Sequence, residues 1–237
     1  MNREDRFKKI PIDFVINVGD VTFRGRESHY KNYAKIKNLI KYPVIMAIGN
    51  HDDDIDNGKE GQALFRKYCG EKEFSFIDRN SYFIVLDDQN GEFSESQFAW
   101  FENELKKAKS YSHIFVFMHK PPFNPYQQSW YRIETCPWSY RFMKLCEKYK
   151  VGMVFSGHEY AQREAEFGGV KYIITGGGGT LLIDPSWEGS VLNYLVIKVN
   201  HNYVDYEVRK IMPPTWEFFT YYMWKDLMFF VRDLLIV

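Results

Sequence analysis

The residues of this chain best suited to chemistry stand in four short segments, Gly19-Asp20, Gly49-Asn50-His51-Asp52, Met118-His119-Lys120 and Gly157-His158. Together they offer a carboxylate, an amide oxygen and two imidazoles, with a further His-Asp pair inside the second segment. Mixed oxygen and nitrogen donors of this kind suit a divalent cation such as Mn, Fe, Zn or Mg. A cation so held lowers the pKa of water and polarises the oxygens it touches. One histidine at a strand end is more often a packed structural residue. Compatible donors closing several separate strands are poorly explained by packing, and metal chemistry becomes the expectation.

The elements that must position these donors can be read from the apolar periodicity. Ile12 to Val18 is a continuous apolar run closed by Gly-Asp, the pattern of a strand buried on both faces that feeds a loop. From Ser28 the period becomes helical, with Tyr30, Tyr33, Ile36 and Leu39/Ile40 on one face, until Pro43 stops it. Val44 to Ile48 is a second buried strand, closed by Gly-Asn-His-Asp. A strand–helix–strand order predicts parallel neighbours, whose carboxyl ends are where ligand groups gather.

Further along, Gln62 to Tyr68 reads as a short helix, and Phe74 to Ile77 with Tyr82 to Leu86 as paired strands. Ser94 and Gln97 have capping-box spacing ahead of Phe98, Phe101, Leu105 and Ala108, which predicts an amphipathic helix. Ile114 to Met118 is a third buried strand, stopped by Pro121-Pro122 behind His119. An aromatic loop from Phe123 to Trp138 precedes a helix over Ser139–Tyr149 and a strand over Val151–Ser156. Strands over Val170–Thr175, Val191–Val199 and Tyr203–Val208 complete one domain, 1–211, followed by a tail, 212–237.

Composition narrows the function classes. At 237 residues, 45% hydrophobic and 18% aromatic, the chain can build a substantial core. Its 31 basic and 31 acidic residues cancel, and no basic stripe marks a nucleic-acid groove. Cys69, Cys136 and Cys146 lack C-x-x-C spacing and read as reduced buried thiols. No apolar stretch follows the charged first residues as a signal peptide would require, and none reaches the ~20 residues that span a bilayer. A cytoplasmic location is the default expectation, subject to any upstream targeting segment.

Within this frame the sequence resembles the calcineurin-like metallophosphoesterases from about Asp13 to about Val208. The resemblance rests on the four segments above, on Leu86-Asp87 through Ser94-Glu95-Ser96-Gln97 to Trp100, and on Tyr172-Ile173-Ile174-Thr175 followed by Gly176 to Gly179. It implies an α/β fold in which two mixed β-sheets pack as a sandwich flanked by helices, four layers in all, with two metals at one edge. Asp20 would bridge the two metals, and Asn50, His119 and His158 would complete the ligands of one. His51 would serve as general acid near the leaving oxygen, with Asp52 orienting it and Arg24 binding phosphate. Phe23 stands where some family members carry an Asp beside that arginine.

Two departures accompany the resemblance. No Asp-x-His precedes Asp20, and the last motif is Gly157-His158-Glu159-Tyr160 in place of Gly-His-x-His. The absent ligands all belong to one of the two metals. Either an upstream strand lies outside this sequence, or the protein works with one metal or recruits Tyr160 or Glu159 as a donor. The expected activity is hydrolysis of a phosphomonoester or phosphodiester by a metal-activated water. The alternative is a catalytically weak relative that binds a phosphate ligand or a protein partner.

The remaining features read more plainly. Gly176 to Gly179 lacks the Gly-Lys-Ser/Thr of a phosphate loop and is expected to let backbone pass close to the site. The acidic run Asp52 to Gly58 lacks calcium-loop alternation and reads as a solvated loop. Phe123, Tyr126, Trp130, Tyr131 and Trp138 either line a substrate pocket or pack over the sheet edge. After Pro213-Pro214 the tail places Trp216, Phe219, Tyr222/Met223, Leu227, Phe230 and Leu234 at helical spacing. Charges interrupt it, so it is expected to dock on its own domain or a second copy in a homo-oligomer, rather than lie on a membrane surface.

Overall fold

The computed structural model describes residues 11–53, 60–123, 137–178, 191–211 and 234–236. Its first sheet has the order β10-β9-β11-β1-β2 and its second the order β3-β4-β5-β6-β8-β7. In the first, β1 (Val15–Asn17) runs parallel to β2 (Val44–Met46), with helix α1 (Glu27–Lys37) as the crossover between them. In the second, β4 (Ser81–Val85), β5 (His113–Phe117), β6 (Met153–Ser156) and β8 (Val170–Thr175) are parallel neighbours. The strands β3 (Phe74–Asp78) and β7 (Gln162–Phe167) close its edges antiparallel. The antiparallel pair β9 (Asn193–Val199) and β10 (Val204–Lys210) lies on one side of the first sheet.

Three apolar layers explain why the strand sequences are continuous apolar runs. Between the sheets, Ile16 and Val18 meet Phe83, Val85, Phe115, Phe117 and Phe155. The alternate residues of the second sheet, Ile84, Val116 and Val154, turn outward onto Phe101, Leu105, Phe142 and Cys146 of helices α3 (Glu95–Ala108) and α4 (Pro137–Lys148). Beyond the first sheet, Met46 and Ile48 pack against Tyr30 of α1 and Phe65 of α2 (Glu60–Tyr68). Both faces of each parallel strand are therefore covered, which removes the alternation a half-exposed strand would show. The result is the four-layer helix–sheet–sheet–helix sandwich that the resemblance implied.

The capping box forms as its spacing predicts: Gln97 N–H donates to Ser94 Oγ at 3.2 Å and Ser94 N–H to Gln97 Oε1 at 3.0 Å. Helix α1 ends earlier than its apolar spacing indicated, at Lys37, and leaves Leu39 80% exposed. Strand β7 was not anticipated. Its sequence, QREAEF, is largely polar because it is an edge strand with little buried surface.

The C-terminal expectation needs a partial correction. Leu234–Ile236 form a strand, β11, rather than the end of an amphipathic helix. It lies antiparallel to β1 and parallel to β9, joining them across the middle of the first sheet. Backbone pairing at a sheet position open on both sides outweighs helical spacing for these residues. Residues 212–233 lie outside the described residues, as do Tyr126, Trp130 and Tyr131 of the aromatic loop, Asp54 to Gly58, and Cys136. At the loop's described ends, Phe123 packs on Phe167 and Tyr172, and Trp138 on Phe93. Cys69 and Cys146 are free thiols. Among the described residues no helix is long and apolar enough to cross a membrane.

Candidate metal centre

Asp20 follows β1, Asn50 and His51 follow β2, His119 follows β5 and His158 follows β6, so both sheets contribute their carboxyl ends to one place. Bringing loops from two sheets into contact demands small residues. A Cβ on Gly19 would collide with His119 Nδ1 and with the backbone of Gly49, and one on Gly49 would collide with the Asp20 carboxylate. These collisions are the physical reason that glycine precedes both the aspartate and the Asn-His-Asp. Asp20 and His158 themselves adopt left-handed backbone, at φ 59° and 65°. Such conformations cost roughly 1–3 kcal/mol in a non-glycine residue and are held by the surrounding structure.

His119 is the hub. Its Nδ1–H donates to the Val18 carbonyl at 2.8 Å, which leaves Nε2 as the ring nitrogen that faces the other donors. That Nε2 lies 3.3 Å from Asp20 Oδ2, 3.1 Å from Asn50 Oδ1 and 3.2 Å from His158 Nδ1. Asp20, His119 and His158 present ligand atoms all within 4.8 Å of one another. Lone pairs converging in a buried place repel unless a positive charge sits among them. Donors about 2.0–2.2 Å from a common ion and roughly at right angles would be about 3 Å apart, close to the spacing found here. Asn50 joins the set although an amide oxygen carries no charge.

The protonation pattern carries the same message. Burial opposes a charge on His119, but the Asp20 carboxylate outweighs it and raises the imidazole to about 9. Burial, helped by charge on His119, depresses His158 to about 3. The cluster thus draws in one positive charge and holds the second imidazole neutral, the form in which an imidazole ligates a metal. A Nδ1–H anchored on a backbone carbonyl, as in His119, is the usual support of a metal-ligating histidine.

The residues read as catalytic fall close by, with different partners from those expected. His51 N–H donates to Asp20 Oδ1 at 2.9 Å, while its ring Nδ1 donates to the Phe23 carbonyl at 2.9 Å. Its ring also stacks on Phe23, centroids 5.5 Å apart and 12° from coplanar. Asp52 makes its side-chain bonds elsewhere: Oδ2 accepts from Asp20 N–H at 2.7 Å and Gly49 N–H at 2.9 Å, and Oδ1 from Thr22 N–H at 2.8 Å. It staples the Gly-Asp loop to the Gly-Asn-His-Asp loop. Burial and the neighbouring Asp20 push its carboxyl up to about 7. Arg24 is exposed, its guanidinium 5.5 Å from the Phe23 ring centre.

Glu159 is buried and pushed up to about 7 by that burial, yet Asp20, His119 and His158 form the acid–imidazole group among the described residues. Tyr160 is half-buried. Asp88 was missed by sequence reasoning. Its oxygens accept from the backbone N–H groups of His119 at 2.8 Å and Lys120 at 2.7 Å. Nothing local marks it, since its partners stand about thirty residues further along the chain.

Fold and site define a class: a mixed α/β sandwich with a candidate metal centre at the carboxyl ends of its strands. The chain belongs to the calcineurin-like phosphoesterase family, whose model matches residues 2–162. A probable cyclic nucleotide phosphodiesterase of Rhodopseudomonas palustris is 28% identical over 120 residues, 48% of this chain and 44% of that protein. A glycerophosphodiester phosphodiesterase of Enterobacter lignolyticus is 24% identical over 165 residues, 62% of this chain and 56% of its own length. The chain therefore spans about half the length of these curated relatives. A purple acid phosphatase from yellow lupin seeds shares the fold, with a TM-score of 0.65 at 16% identity over 94% of this chain and 46% of that one.

Proposed function

We propose that the chain hydrolyses a phosphoester, with a phosphodiester as the first substrate class to test, using a divalent ion held by Asp20, Asn50, His119 and His158. The observation that carries this reading is the convergence of Asp20 Oδ2, Asn50 Oδ1 and His158 Nδ1 on Nε2 of His119. The diester preference draws on the phosphodiesterase names of the relatives. When bound, a divalent ion supplies Lewis acidity toward a phosphoryl oxygen and lowers the pKa of water. The chain's residues supply the remainder. With Nδ1–H committed to the Phe23 carbonyl, His51 Nε2 is the atom that carries a proton to the departing alkoxide. Arg24 offers a guanidinium fork for the phosphoryl oxygens. Asp52 acts through the backbone, fixing the loop that carries Asp20 against the loop that carries Asn50 and His51.

A second reading has its own support. Among the described residues, the acid–imidazole group of Asp20, His119 and His158 offers donors for one ion and does not include Glu159. A chain holding a single ion would bind phosphate and turn it over slowly, acting as a binding relative. The metal-to-protein ratio after reconstitution with Mn(II), together with hydrolysis of bis(p-nitrophenyl) phosphate, separates the two. Bound Mn(II) with diester turnover that vanishes in His51→Ala supports the hydrolase. One ion without turnover supports the binding reading, and no bound ion sinks both.

A further inference from the structure

The backbone of His119 is fixed from several directions. Its carbonyl accepts from Gly157 N–H at 2.9 Å, which couples it to the loop bearing His158. Its ring is held by the Val18 carbonyl at 2.8 Å. Its own N–H, and that of Lys120, lie beyond the end of the β4–β5 ladder, whose last backbone bond runs from Leu86 N–H to the Phe117 carbonyl at 2.9 Å. There β4 turns away, with Gly91 N–H bonding back to the Asp88 carbonyl at 2.7 Å. Two successive N–H groups, that of His119 buried and that of Lys120 half-buried, would be left without strand partners. The Asp88 side chain, fully buried, takes both, one on each oxygen. It extends the ladder by two bonds after the backbone has departed. Of these three contacts, made apart from the donor cluster, the Asp88 contact is the one supplied by another residue's side chain, hence the one a substitution there removes.

We propose that Asp88 is a positioning residue of the metal centre, holding the His119–Lys120 backbone so that His119 Nε2 stays aimed at the other donors. The proposal rests on the metal-binding reading above. Asp88 is separate from Asp52, which staples Gly49, Asp20 and Thr22, all on loops of the first sheet. Asp88 performs the corresponding task for the second sheet. An ionised carboxylate suits the position because both groups it meets are donors and it carries no hydrogen to oppose them. Asparagine would keep one acceptor and turn an NH2 toward the other N–H. Serine would offer one shorter reach.

The test measures the Mn(II) dissociation constant of the chain by electron paramagnetic resonance of free Mn(II), alongside the thermal midpoint. Asp88→Ala is expected to weaken Mn(II) binding about 10–100-fold, the range seen when supports of metal ligands are removed. Asp88→Asn should lie between the wild type and the alanine variant. Glu104→Gln, in a buried polar network of helix α3, should lower the midpoint and leave the Mn(II) constant unchanged. If Asp88→Ala, measured on folded protein, binds Mn(II) within about twofold of the wild type while its midpoint falls, Asp88 is merely structural and the proposal is overturned. Should the alanine variant not fold, Asp88→Asn and Asp88→Ser are judged by the same criterion. A wild-type chain that binds no Mn(II) would overturn the metal reading itself, a different result from unchanged affinity in the variants.

Discussion

Two buried carboxylate environments of this molecule differ in one respect. Glu104 on helix α3 is almost fully buried, yet its oxygens accept from Tyr82 OH at 2.7 Å and Ser75 Oγ at 2.6 Å, with the Lys107 ammonium 2.6 Å away. Burial raises its carboxyl, but these partners more than offset that and hold it below the ordinary glutamate range. Asp52 and Asp88 are also buried, and among the described residues their carboxylates accept from backbone N–H groups alone. Burial wins there: Asp52 rises to about 7, with Asp20 adding to the shift, and Asp88 to about 6 despite the lowering influence of His119. The first environment is electrically complete. In the second, backbone N–H groups do not offset burial, and the carboxylates beside the metal-binding loops stay raised.

The sharpest way to break this comparison is Asp20→Ala. Turnover of bis(p-nitrophenyl) phosphate should fall at least about 100-fold, because a ligand carboxylate is lost from the place where charge develops. Mn(II) binding, read by titration, should fall with it; a variant that keeps both would sink the assignment. Glu104→Ala tests the other environment. It strands the Tyr82 and Ser75 hydroxyls and should cost about 1–3 kcal/mol in urea denaturation. Its Mn(II) affinity should remain that of the wild type.

Acidity sharpens the contrast further. Asp52, Asp88 and His119 all have folded pKa values above their ordinary ones, so the folded state binds more protons than the unfolded state. Their contributions to stability are greatest below the unfolded values and fade as pH rises through about 6, 7 and 9. Glu104 has the opposite sign: its contribution is present above the ordinary glutamate pKa of 4.5 and is lost as pH falls through its lower folded value. The metal-free chain should therefore lose thermal stability from about pH 6 to pH 9 by calorimetry, and Mn(II) should flatten that slope. A slope unaffected by Mn(II) would count against a cation site there. The smallest effect is expected from Phe23→Ala, which removes the ring stacked on His51. Aromatic stacking of about 0.5–1.5 kcal/mol corresponds to a roughly 2–10-fold loss of turnover at unchanged Mn(II) affinity.

Much of the site was legible because its donors sit in local patterns. Gly-Asp, Gly-Asn-His-Asp, His-Lys and Gly-His each close an apolar run, and parallel strands bring their carboxyl ends together whatever the loops do between them. Ser94 and Gln97 were legible for the same reason, a capping box being complete within four residues. Asp88 was not, because its partners are backbone groups just beyond the end of another strand and any aspartate in a loop looks alike in sequence. The bonds of Asp52 were hidden similarly. The resemblance suggested His51 as its partner, whereas folding gave it three N–H groups from two loops.

The sequence by itself determined the buried strands, the helices between them and the donors that close the strands, since burial on both faces writes itself into apolar runs; the two-sheet sandwich and the grouping of those donors came from the resemblance that the motifs carry. Tertiary structure alone decided three matters. It turned the His51 ring onto the Phe23 carbonyl, assigned two buried carboxylates to holding loops, and seated Leu234–Ile236 between β1 and β9. Each depends on backbone hydrogen-bonding groups, which every residue carries alike. Their pairing is fixed by where the chain passes in space and leaves no mark on the side chains that spell the sequence.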